Sequence, residues 1–296
     1  MERDFLPMDE GAAVFGLLRA PVGPIRRMQG GPCPHSAPLQ ASDCPEAVSS
    51  VDKSGWQAGK RPLSSSPNMQ NVPFYKPSIG KAEIDEVVDT LQHGWLTTGP
   101  KTKQFEAEFA RYIGQKHAIA VNSCTAALHL ALEAVGIQAG HTVVVPTMTF
   151  AATAEVVRYF NAKPLLVDCR TEDFNIDVAD ANRRIAAAIE RGEKVKAILP
   201  VHYGGQVVDV PGITALARKY QLKVIEDAAH CCPAHYRENP SEPWKSVGTA
   251  ADISCYSFYA NKTITTGEGG MACTQDDALA DRMRIMSLHG DRKSVV

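Results

Sequence analysis

Lys262, Asp227 and the run Asn122-Ser-Cys-Thr125 are the parts of this 296-residue chain best suited to chemistry. Each follows a short apolar stretch. Ala118–Val121 runs into Asn122-Ser-Cys-Thr-Ala-Ala127, which puts small polar side chains and free backbone N–H groups at a helix start, a ready site for a phosphate. Taken alone, that run reads as an ordinary Ser/Thr helix cap. Lys223–Ile225 runs into Glu226-Asp-Ala-Ala-His230. A carboxylate at the end of a buried strand is costly unless paired, and a cationic ring nitrogen would pair it. Taken alone, Asp227 reads as a helix-capping acid. Ile253–Ser257 runs into Phe258-Tyr-Ala-Asn-Lys262 and then the tight turn Gly267-Glu-Gly-Gly270. Most lysines are solvated surface charges, but desolvation lowers the pKa of a partly buried one and makes it nucleophilic. Pro146-Thr-Met-Thr-Phe150 adds an aromatic ring at a fourth strand end, by default simply core.

The elements that must position these groups alternate in period. Ile84, Val87, Val88 and Leu91 follow helical spacing with Gly94 as a stop. Phe105, Phe109, Tyr112 and Ile113 mark a second helix ended by Gly114. The spacing then predicts strands at 118–121, 143–145, 164–167, 197–201, 223–225, 253–257 and 270–274. It predicts helices at 125–135, 151–160, 178–189, 210–220 and 276–288. Short, fully apolar strands alternating with helices imply a three-layer α/β fold around an open, mostly parallel sheet. Such sheets bind ligands beyond the carboxyl ends of their strands, where all four groups lie. A helix start for phosphate, a strand-end acid, a nearby His, an aromatic ring and a loop lysine form the set that pyridoxal phosphate requires.

Composition excludes several other classes. Lys and Arg number 31 against 33 Asp and Glu, a net charge of −2, so no basic excess points to nucleic acid or an acidic membrane surface. No apolar run approaches the ~18 residues of a membrane span, and acidic residues precede the short run Gly11–Leu18, unlike the basic leader of a secretory signal. The eight cysteines form no CxxC pair and no zinc spacing, so no metal site is expected. Their scatter suits reduced thiols in a cytoplasm. Cys231-Cys232 is a single vicinal pair, too few ligands for a tetrahedral site. No GxGxxG follows the first strand, which argues against a Rossmann dehydrogenase. His202 reads as a satisfied structural histidine, although it and Tyr203 follow a strand end and have the placement to line a substrate site.

The ordered motifs Gly94-Trp-Leu-Thr-Thr-Gly-Pro, Asn122-Ser-Cys-Thr-Ala-Ala-Leu, Pro146-Thr-Met-Thr-Phe, Pro200-Val-His-Tyr-Gly-Gly, Val224-Ile-Glu-Asp-Ala-Ala-His, Ser257-Phe-Tyr-Ala-Asn-Lys and Gly267-Glu-Gly-Gly resemble the DegT/DnrJ/EryC1/StrS family. Its members are sugar-nucleotide aminotransferases with the aspartate-aminotransferase fold. The resemblance runs from about Pro73 to Gly290. It implies that Lys262 carries pyridoxal 5'-phosphate, that Asp227 pairs with the pyridinium nitrogen and that Phe150 stacks on the ring. It places His230 near the ring's phenolic oxygen, and Ser257 with Cys124, Thr125 and Ala126 at the phosphate. Relatives with His in place of this lysine act as dehydratases, so Lys262 favours transamination. The implied reaction passes an amino group, with L-glutamate as donor, to a keto-sugar on a nucleotide, for cell-surface glycan, lipopolysaccharide or secondary-metabolite biosynthesis. The alternatives are an aminotransferase or dehydratase acting on another cyclic ketone, or a non-catalytic regulatory relative. The family also implies a cytoplasmic homodimer.

The two ends read differently. Residues 1–68 hold 9 Pro, 7 Gly and 8 Ser but only 12 Ile, Val, Leu or Phe, too few large apolar groups to offset ordering entropy. They read as a disordered or non-native extension, with Met69 as the expected start of translation. Family members continue past the equivalent of Gly290 into a smaller C-terminal domain. Here Asp291-Arg-Lys-Ser-Val-Val follows, which corresponds to one reading frame of a widely used sequencing-adapter oligonucleotide. The expectation is therefore a truncated cofactor domain, 69–290, followed by an artefactual tail, 291–296.

Overall fold

The computed structural model describes residues 73–290. The expected extension and tail lie outside them, apart from the boundary at Gly290. Two helices lead, α1 (Lys81–His93) and α2 (Pro100–Ile113), and then strand and helix alternate. The order is β1 (His117–Val121), α3 (Cys124–Ala134), β2 (His141–Pro146), α4 (Ala151–Tyr159), β3 (Lys163–Val167), α5 (Val178–Glu190) and β4 (Lys194–Ile198). A short 3-10 turn, Tyr203–Gly205, precedes α6 (Val210–Tyr220) and β5 (Lys223–Asp227). A two-stranded hairpin, β6 (His235–Tyr236) and β7 (Lys245–Ser246), leads to β8 (Ile253–Ser257), β9 (Gly270–Thr274) and α7 (Asp277–Ser287).

The helices begin and end where local chemistry dictates. Pro100 opens α2, and Gly114 closes it at φ 73°, a conformation that costs glycine little. Ser123, Asp177, Asp209 and Asp276 cap α3, α5, α6 and α7 by accepting first-turn N–H groups.

The main sheet runs β1-β9-β8-β5-β4-β2-β3. Neighbours pair in parallel except β9, which is antiparallel to both β1 and β8. Strand alternation sorts the apolar residues onto two faces. Val143, Val145, Ile225, Ile253 and Cys255 pack with the side of α3, α4 and α7. Val144, Ile198 and Val224 pack with α5 and α6, and Tyr256 and Met271 on that second side meet α2. The three-layer, mostly parallel arrangement expected from the sequence is therefore present.

Three details differ from the periodicity. β4 lies three residues earlier than the expected 197–201, with Val201 continuing only as an isolated parallel bridge to Asp227. The hairpin of β6 and β7 falls between the strands expected at 223–225 and 253–257, where the spacing predicts no element, because strands of two residues are too short to show a period. The apolar stripe of α1 is not buried: Ile84, Val88 and Leu91 are exposed, and no α1 residue is buried among the described residues.

Candidate active site

Strand parity aims the acid. Asp227 has the parity of Ile225, so its side chain projects toward α3 and α4, while Glu226 projects to the opposite face. There Asp227 is 5% exposed. Thr153 Oγ1, on α4, donates to its Oδ2 at 2.8 Å, and the Ala229 N–H donates to Oδ1 at 3.1 Å. Because Thr153 gives its proton to the carboxylate, the 2.6 Å contact between Thr149 and Thr153 hydroxyls has Thr149 as donor. Backbone ties hold the strand end: the Asp227 N–H donates to Pro200 O, and the His202 N–H to Asp227 O. Among the described residues, no cation stands within ion-pairing distance of Asp227.

Ser257 shares that parity two residues beyond Cys255, the register partner of Asp227, and is buried. Lys262 follows it in the loop between β8 and β9. That loop is pinned at its neck: the Phe258 N–H donates to Gly269 O and the Thr266 N–H to Phe258 O, both at 2.9 Å. The Lys262 N–H donates to Tyr259 O at 2.9 Å. Lys262 is half-buried. Burial lowers its amine below the usual lysine value, against the pull of Cys124 and Asp227. Its charge in turn adds to the burial that lowers His230, an effect Asp227 opposes. The same burial pushes the Cys124 thiol well up, aided by Asp227 and Cys255 and opposed by Lys262. Lys262, Asp227, His230 and Cys124 therefore share one electrostatic neighbourhood.

The α3 start completes it. Ser123 Oγ accepts the Ala126 N–H at 3.1 Å, leaving Cys124 and Thr125 in the turn whose N–H groups a helix does not satisfy internally. The entry to β9 presses on this turn so closely that a Cβ on Gly270 would overlap the Ser123 carbonyl and the Cys124 nitrogen. The lysine loop and the phosphate-type turn are thus seated against each other. Phe150 caps α4 and is 79% exposed, a ring free to cover a planar ligand.

These residues fit pyridoxal phosphate. A buried acid without a cation suits a ring nitrogen that carries a proton. An amine with a lowered pKa suits covalent capture of an aldehyde, and an open helix start suits a phosphate. His202 is buried, with Nδ1 accepting the Val208 N–H at 3.2 Å; Nε2 lies 3.3 Å from Glu226 Oε2, yet neither atom has a hydrogen-bond partner, so the satisfied histidine read from the sequence is satisfied at one ring nitrogen. Cys231 and Cys232 are buried thiols pushed up to about 12, mainly by burial. Sequence reasoning passed over Thr153, and placed Thr149 and Gly270 in motifs without giving either a contact of its own. The one available signal was a polar residue on the otherwise apolar buried stripe of α4, Ala152, Val156 and Val157.

A family model described as the DegT/DnrJ/EryC1/StrS aminotransferase family matches residues 77–295. The spore coat polysaccharide biosynthesis protein SpsC of Bacillus subtilis is 45% identical over 223 residues, 75% of this chain and 54% of SpsC. The chain thus spans about half the length of the curated relatives it matches. A DegT DnrJ EryC1 StrS aminotransferase from Brucella abortus superposes with a TM-score of 0.65 at 36% identity, over 70% of this chain and 54% of the other. NtdA from Bacillus subtilis, solved with bound cofactor PMP, gives 0.60 at 30% identity, over 71% and 46%.

Proposed function

We propose, from the premise that the chain belongs to the DegT/DnrJ/EryC1/StrS aminotransferase family, that it transfers an amino group from L-glutamate to a keto-sugar carried on a nucleotide. The cofactor is pyridoxal phosphate. When bound, it supplies an electron sink for the substrate carbon that loses a proton. The observation that carries the reading is Asp227: a buried, hydrogen-bonded carboxylate with no ion-paired cation among the described residues, in the electrostatic neighbourhood of an amine held below its usual pKa.

The chain's own groups divide the work. Lys262 holds the cofactor and, once displaced by an amino substrate, takes and returns the proton at the reacting carbon. Asp227 keeps the proton on the ring nitrogen, and Thr153 fixes the carboxylate that does so. The α3 start at Cys124, Thr125 and Ala126, with Ser257, receives the phosphate. Phe150 would cover the cofactor ring and exclude water from one side, and His230 would serve its phenolic oxygen. The product is an amino-sugar nucleotide for polysaccharide or secondary-metabolite biosynthesis. The working protein in this reading is a cytoplasmic homodimer, which fractionation and sedimentation would check.

The test is an absorbance spectrum of the purified chain loaded with pyridoxal phosphate. A visible band from lysine-bound cofactor should form, vanish on adding glutamate and return on adding the keto-sugar nucleotide. Lys262→Ala should show no such band. A band that persists in that variant, or that never forms in the parent chain, refutes the assignment.

A further inference from the structure

We propose that Phe174 and Tyr203 form an aromatic platform on which the pyranose ring of the substrate stacks beside the cofactor site. The inference deepens the sugar-aminotransferase reading and rests on it. Tyr203 opens the turn that follows β4, and that turn leans on the segment holding Asp227 and His230. Val201 bridges Asp227, and the His202 N–H donates to Asp227 O at 3.1 Å. Gly205 approaches so closely that a Cβ there would sit 3.0 Å from His230 O. Cys231 Sγ donates to Gly205 O at 3.4 Å.

Phe174 reaches this turn from the loop between β3 and α5. Its ring centroid lies 5.9 Å from that of Tyr203, the planes tilted by 59°. The connection is built through Asn175, which is 2% exposed. Asn175 Oδ1 accepts the Tyr203 N–H at 3.0 Å, and Nδ2 donates to Gln206 O and Val207 O, both at 3.3 Å. The loop is closed by the Phe174 N–H on Arg170 O and the Arg170 N–H on Asn175 O.

The fold holds Phe174 against two ordinary preferences. Its φ is +60°, which is unfavourable for a bulky residue, and the residue is 46% exposed although an aromatic gains by burial. Backbone strain of this kind, enforced by surrounding hydrogen bonds, gathers at functional sites. The chemistry around the ring matches a sugar. Two rings tilted by 59°, one of them on a half-exposed residue, suit the C–H face of a pyranose, whereas a flat base calls for parallel faces. Arg170 and Asp173 flank Phe174, paired at 3.5 Å, and offer a donor and an acceptor for ring hydroxyls.

The experiment uses the chain loaded with pyridoxal phosphate and UDP-glucose as probe, read by saturation-transfer NMR and by titration. Saturation should reach the glucose protons more strongly than the uracil protons. Phe174→Leu should weaken Kd by about 2–12-fold, the range for one lost aromatic contact, and remove the preference for the glucose protons. Phe174→Tyr should restore both, and Tyr203→Leu should repeat the loss. The lysine-bound cofactor band should stay unchanged in all three. Saturation centred on the uracil, no binding of the probe, or a Phe174→Leu chain that binds as the parent does would each overturn the proposal. So would a shift in sedimentation in Phe174→Leu, since the pair would then be a contact between copies. Failure of the cofactor band in the parent chain would instead strike the function proposed above.

Discussion

Thr153→Val isolates what the structure assigns to the hydroxyl that holds Asp227. The two side chains have nearly the same shape, so the buried face of α4 keeps its volume, and what is lost is the 2.8 Å donation to Asp227 Oδ2 together with the 2.6 Å acceptance from the Thr149 hydroxyl. Thr153 is fully buried and Asp227 nearly so, so water does not readily replace the donor. A hydrogen bond to a charged group contributes about 1.5–3 kcal/mol, and a buried acceptor left alone costs a similar amount. For a domain of this size that corresponds to a fall in Tm of about 3–12 °C. The Ala229 N–H on Oδ1 remains and places the result toward the lower half of that range. Thermal unfolding of the chain, with and without pyridoxal phosphate, reads the effect. Because the carboxylate is also freed to turn, cofactor affinity should fall by about 10-fold or more, the equivalent of ~1.4 kcal/mol. Thr153→Ser keeps the hydroxyl and should recover most of the affinity. If Val and Ser variants behave alike, or if neither differs from the parent, the assigned role of Thr153 is wrong.

Gly270→Ala should destabilise the chain by at least about 1–3 kcal/mol, the range for forced overpacking, because the added carbon meets backbone at Ser123 and Cys124 rather than a movable side chain. Urea unfolding checks this, and an unchanged midpoint would refute the close seating of β9 on α3. Burial holds the Lys262 amine below its ordinary 10.5, so the fraction of free amine ready to capture pyridoxal phosphate should reach half below pH 10.5 in the apoprotein. A capture-rate profile with its midpoint at or above 10.5 would contradict the half-buried setting. Burial pushes the Asp180 carboxyl up, but the Asp168 N–H with Arg184 and Arg183 outweighs it and holds the group below 3.8. Its stabilisation is therefore present above pH 3.8 and lost as pH falls through the lower folded value. Asp180→Asn should unfold more easily than the parent at pH 7, and the difference should shrink in acid.

Much of the site was legible in local sequence because its parts are local. The runs ending in Asp227, Lys262 and Cys124-Thr125 each combine a short apolar strand with polar residues just past it, and strand-end placement follows from that order alone. Some helix limits were legible for the same reason, since the Ser/Thr run at Ser123 announces a cap and Gly94 and Gly114 announce stops. The period of α1 was also read correctly as helical, yet it said nothing of burial. A stripe of apolar residues reports what a helix is able to bury, not whether a partner is present.

Tertiary structure decided the pairings. Thr153 meets Asp227 across 74 residues, and Asn175 meets Tyr203 across 28, distances over which periodicity carries no information. The reversal of β9 between β1 and β8 was equally hidden, because an apolar strand buried on both faces reads the same in either direction. The sequence by itself determined which residue types stand at the strand ends and therefore which cofactor chemistry they suit. Only the folded sheet decided that Asp227 and Ser257 share a face and which hydroxyl holds the acid. It also decided that the rings of Phe174 and Tyr203 meet, because those relations arise from strand order and register, set by the packing of whole layers rather than by any one segment.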